Sequence, residues 1–163
     1  MSYARPLIAA VIVLAIAVPA QAQFFYSNPP PLMGQESYHI YSVPGVIASG
    51  SLGTFFACTN TTSASIRVGV EGFGGAGGPS INDPSFSSLD IPSGGTRIFG
   101  TTTAVGISVS SNVAVGTSKG SARILATEKK GIICSAFVAD NGNDPPTSMA
   151  DLKVVAKTKQ RGE

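Results

Sequence analysis

From Tyr38 onward the chain is a succession of short runs in which apolar and polar residues alternate, each closed by glycine, proline or asparagine. The clearest is SASIRVGVEGF, where Ile66, Val68 and Val70 fall on one face and Arg67 and Glu71 on the other. A period of two is that of a strand with one buried face. The same rhythm returns in YHIYSVPGVIAS, which breaks at Pro44-Gly45, and in GTFFACTN. It continues around the turn Pro92 to Gly95, in TAVGISVSSN, in VAVGTSKGSARILAT, in KKGIICSAFVAD and in ADLKVVAKTK. Glu128 to Gly131 read as a hairpin turn, and Leu152, Val154 and Ala156 as one face of a final strand. About seven to nine antiparallel strands at short spacing, with no helical pattern after the first residues, predict an all-β sandwich or barrel.

The N-terminus is of another kind. Arg5 precedes an unbroken apolar stretch, Leu7 to Val18, which is short for a membrane span. Pro19 ends it, and Ala20-Gln21-Ala22 is a small-x-small cleavage site. The expected signal peptide is 1–22, leaving 141 of the 163 residues as the mature chain. No later stretch is long and apolar enough for a transmembrane segment, and the expected location is secreted or periplasmic. Without Arg5 the balance is 10 Lys and Arg against 9 Asp and Glu, which gives no electrostatic basis for binding nucleic acid.

Export bears on the two cysteines. An oxidising compartment and an even count favour a disulfide between Cys58 and Cys134. Alternation places Thr54, Phe56 and Cys58 on one face, and Ile132, Cys134, Ala136 and Val138 on another. Two inward-facing strands bridged across a sandwich core are the simplest arrangement. Catalysis by either thiol needs a neighbouring base, and the chain's single histidine, His39, is distant in sequence.

Residues 23–36 form an extended, proline-rich lead-in with an aromatic tip at Phe24, Phe25 and Tyr26. The sandwich domain is expected over 37–158 and a basic tail over 159–163, with Lys153, Lys157, Lys159 and Arg161 read as edge protection and a solvated end. GFGGAG, Gly72 to Gly77, matches a dinucleotide fingerprint in letters, but no helix can follow in GPSINDPSF. It reads instead as an inter-strand loop. Gly72, Phe73, Gly74 and Gly75, with Asp140, Asn141, Asn143 and Asp144 of DNGND, make up a candidate ligand loop set. DNGND lacks the EF-hand register and reads as a turn, so no metal or cofactor is expected. Asn60-Thr61-Thr62 is a glycosylation sequon.

A bridge from an early strand to the penultimate one resembles the inter-sheet disulfide of immunoglobulin domains. The chain has no tryptophan, and Ile132 stands where the tyrosine corner would be, so the expected fold is immunoglobulin-like only in the loose sense. The runs FFACTN, IRVGVEGFG, IPSGGTRIFGT and KGSARILATEKKGIICSAFVAD also resemble a group of small exported bacterial proteins with no assigned activity. The resemblance covers residues 54–158; it implies export and a β-sandwich, and no catalytic residues.

No catalytic constellation emerges, and the chain is expected not to be an enzyme. The expected function is an exported module binding a protein or glycan of the cell envelope. Two alternatives stand beside it. One is a structural subunit that self-associates by strand pairing through Phe24 to Tyr26 or Ile66 to Val70. The other is a small hydrolase using His39.

Overall fold

The computed structural model describes residues 27–113, 115 and 119–157. The expected signal peptide, Phe24 to Tyr26, Lys159, Arg161 and the 159–163 tail lie outside them. Eleven strands and one helical turn follow in chain order: β1 (Tyr38–Val46), β2 (Ala48–Ser49), β3 (Leu52–Asn60), β4 (Ile66–Gly74), α1 (Pro84–Ser87), β5 (Leu89–Ile91), β6 (Thr96–Gly100), β7 (Ser111–Asn112), β8 (Gly120–Ala126), β9 (Ile132–Asp140), β10 (Met149–Leu152) and β11 (Val155–Ala156). They form two sheets, one ordered β11-β1-β8-β4-β5 and the other β10-β9-β3-β6-β7, with β2 added beside β3. The chain is all-β, as its alternation predicts.

The core lies between the sheets. Val68, Val70, Ala122, Ile124 and Ala126 from one sheet meet Phe56, Cys58, Phe99, Ile132 and Ala136 from the other. These are the period-two positions, and the central β3–β9 ladder runs unbroken from Leu52 opposite Asp140 to Asn60 opposite Ile132.

The disulfide joins Cys58 and Cys134, but it does not cross the core. The two residues are direct partners in the β3–β9 ladder, with Cα atoms 4.2 Å apart. That spacing belongs to the close, non-hydrogen-bonded pairs of an antiparallel ladder, whose side chains rise together from one face. The bridge therefore clips neighbouring strands of one sheet, which also departs from the inter-sheet bond of an immunoglobulin domain.

Other departures have local causes. The strands exceed the expected seven to nine because several are two-residue pieces, and β6 and β7 pair in parallel. ADLKVVAKTK is two strands: β10 pairs with β9, and β11 pairs with β1 in the opposite sheet. Of TAVGISVSSN only Ser111–Asn112 pairs as a strand. α1 is a single turn, capped where the Asp83 carboxylate accepts from Ser85 N–H at 2.8 Å and started by Pro84.

The first sheet is covered on its outer face as well. Glu71, expected to face solvent, is buried and ion-paired to Arg123, itself 1 % exposed. The lead-in lies across this face as a strap. Ser27 accepts from Arg123 Nη1 through its carbonyl at 2.8 Å, and Leu32 is fully buried. A Cβ at Gly69 would come within 2.9 Å of Leu32 Cδ2 and 3.0 Å of the Pro84 carbonyl, so the bare backbone there admits both strap and helix. Leu32 opens a tight turn closed by mutual bonds between the Leu32 and Gln35 backbones.

Candidate binding groove

The two loops singled out by sequence lie at one end of the sandwich, where β4 and β9 finish and β3 and β8 begin. Their residues divide between strand ends and turns. Gly72, Phe73 and Gly74 are the last residues of β4, not a loop, and Phe73 is buried. Only Gly75 stands in the turn. The strand continues through the glycines because its open edge finds a substitute partner. Asn82 accepts from Gly72 N–H at 2.7 Å and donates to the Val70 carbonyl at 2.9 Å, and Ile81 N–H adds a bond to the Gly72 carbonyl. β5 covers Ile66 to Val68. The strand named above for self-association therefore has partners on both sides.

At the second loop, Asp140 is the last residue of β9 and its carboxylate is occupied. It accepts from Ser148 N–H, from Asn143 Nδ2 and from the backbone and hydroxyl of Thr147, at 2.6–3.0 Å. These donors, Ser148 first and Asn143 next, hold its pKa down to about 2. The carboxylate ties the 141–148 loop back on itself. Asn141 donates to Thr102 Oγ1 at 3.3 Å, while Asn143 and Asp144 pack against Gly106. Asn60 of the sequon is likewise consumed: it is fully buried, donates to the Ala64 and Ile91 carbonyls, and accepts from Thr62.

The opposite end carries the groove. It is an open cleft of about 600 Å³ lined by Asn28, Pro29, Glu36, Ser37, Tyr38, His39, Lys129 and Lys157. Four separate segments build it. Asn28 and Pro29 come from the strap, which Ser37 fastens by donating to the Pro30 carbonyl at 2.7 Å. Tyr38 and His39 open β1, opposite Ala126 and Leu125 at the end of β8. Lys129 comes from the β8–β9 hairpin, and Lys157 follows β11, held where its N–H donates to the Ile40 carbonyl at 2.9 Å.

Within this cleft the Lys129 ammonium stands 4.6 Å from the centre of the Tyr38 ring, in cation–π range. Hydrogen bonding to Glu36 raises the Tyr38 phenol above its ordinary pKa, with burial and the charges of Glu36 and Glu128 adding to it. His39 is half-buried, and its pKa is lowered to about 4, first by burial and then by the positive charges of Arg123 and Lys157. At neutral pH its ring is uncharged. Nε2 lies 3.1 Å from the Tyr41 carbonyl and 3.0 Å from Ser42 Oγ. A carbonyl only accepts, so Nε2 carries the proton. In that tautomer Nε2 donates to the carbonyl and stands beside the Ser42 hydroxyl.

Sequence reasoning singled out His39 as a hydrolase candidate and Lys157 as edge protection, and joined neither to Asn28, Glu36, Tyr38 or Lys129 in one site. The signal for Lys129 was its hairpin turn, which does not reveal the aromatic ring beneath it.

No protein-family model, characterised protein or solved structure matches the chain. Among the described residues no helix is long and apolar enough to cross a membrane.

Proposed function

We propose that this chain is an exported, non-catalytic recognition module of the cell envelope, and that its ligand site is the groove between strap, hairpin and β1. The observation that carries this reading is the convergence of Tyr38, His39, Lys129, Lys157, Glu36 and Asn28 on one cleft of about 600 Å³. Binding sites have this size and draw a few polar groups from separate segments. Export is supported by the Leu7 to Val18 run, the Ala20-Gln21-Ala22 site and a disulfide in a chain with two cysteines.

The test is retention on envelopes isolated from the producing organism. Wild-type protein should sediment with them, and Tyr38→Ala should stay in the supernatant while keeping a native far-UV spectrum. Equal retention of the two would remove the groove from the account. N-terminal sequencing of the exported protein should begin at Gln23, and an intact Met1 would remove the signal peptide.

A further inference from the structure

The groove has an uneven chemistry. Two ammonium groups, Lys129 and Lys157, enter it beside one carboxylate, Glu36. The ion pairs of the described residues are Arg67–Asp90 and Arg123–Glu71, and neither lysine takes part in them. Lys129 is steadied over the Tyr38 ring. Both lysines are exposed at the cleft. Cations set beside a carboxylate acceptor and the Asn28 amide suit a ligand that brings both negative charge and hydroxyl donors.

We propose that the groove binds an acidic sugar, with Lys129 and Lys157 holding its carboxylate or sulfate and Glu36 and Asn28 meeting its hydroxyls. This rests on the groove being the recognition site. His39 reports on it from within: its ring is kept neutral partly by the field of Lys157. An anion seated between the lysines offsets that field and favours the imidazolium, raising the midpoint. The chain's single histidine makes the signal unambiguous.

The experiment titrates His39 by NMR in the exported protein, with four probes added in turn: a galacturonate hexasaccharide, its methyl ester, a heparin hexasaccharide and inorganic phosphate. At least one acidic oligosaccharide should bind and move the His39 midpoint upward by about one unit. The matching neutral ester should bind at least about tenfold more weakly, as should a folded Lys129→Gln/Lys157→Gln variant. Equal binding of ester and acid, or of phosphate and the sugars, would overturn the acidic-sugar assignment. So would no binding of either acidic oligosaccharide. Each of these leaves the recognition reading standing if Tyr38→Ala still abolishes envelope retention, so the two fail separately.

Discussion

Arg123 and Glu71 face each other across β8 and β4, and their ion pair is buried on the side of the sheet turned away from the hydrophobic core. Arg123 also donates to the Ser27 carbonyl and lies over the Phe73 ring, 5.5 Å from its centre. One guanidinium thus joins two strands to the strap that forms a wall of the groove.

Removing one member of this pair leaves an uncompensated charge in a site without water access. Arg123→Met or Glu71→Gln should each cost about 3–5 kcal/mol. The double variant Glu71→Leu/Arg123→Met should recover most of that loss, because no charge then remains buried. Urea unfolding of the three variants checks this; equal losses in all three would show that packing, not charge, sets the cost.

Leu32 anchors the strap over Gly69. Leu32→Ala should cost about 2–5 kcal/mol and speed hydrogen exchange at the Leu32 and Gln35 amides, which bond each other's carbonyls. Unchanged exchange there would mean the strap is held from elsewhere.

The pH dependence has two windows. His39 titrates near 4 in the folded chain against an ordinary 6.5. Between these values the unfolded chain takes up a proton that the folded chain refuses, so stability falls as pH drops from 6.5 to 4. Asp140 titrates near 2 against 3.8, so its stabilisation is present above 3.8 and is lost as pH falls towards 2. Urea midpoints across this range should show both slopes. His39→Gln should flatten the upper one, and Asp140→Asn the lower.

Cys58 and Cys134 enclose a long loop, being 76 positions apart. The chain-entropy model gives about 4.5 kcal/mol for a closure of this length, and native bridges in small exported domains contribute about 2–5 kcal/mol. Reduction should lower the urea midpoint accordingly and raise the intact mass by about two daltons. A mass unchanged by reduction would mean the thiols were never joined.

Much of this was legible in the residues. Alternation of Ile66, Val68 and Val70 against Ala122, Ile124 and Ala126 marks the core faces, and the even cysteine count marks the disulfide. Alternation tells which face a residue takes, not which strand lies beside it, so it could not place Cys58 and Cys134 in one sheet. It also assumes that the face opposite the core is wet. The strap breaks that assumption, and this is why Glu71 read as a surface charge. Gly72 and Gly74 read as loop because glycine is a breaker by default, yet the Asn82 side chain supplies the missing ladder bonds. The groove was the least legible feature, since Asn28, Tyr38, Lys129 and Lys157 share no sequence motif. Only the pairing of β1 with β8 and β11 brings them together.

On the proposed reading, recognition occurs at the Tyr38–Lys129 end of the sandwich and not at the glycine-rich end. Site-specific photo-crosslinking measures this directly, with benzoylphenylalanine placed at exposed Lys130 in one variant and at exposed Ala76 in another. Each variant is irradiated on isolated envelopes. Position 130 should give saturable adducts, competed by unlabelled wild type and not by Tyr38→Ala, and position 76 only background. Adducts confined to position 76 would contradict it and move the site to the opposite end of the fold.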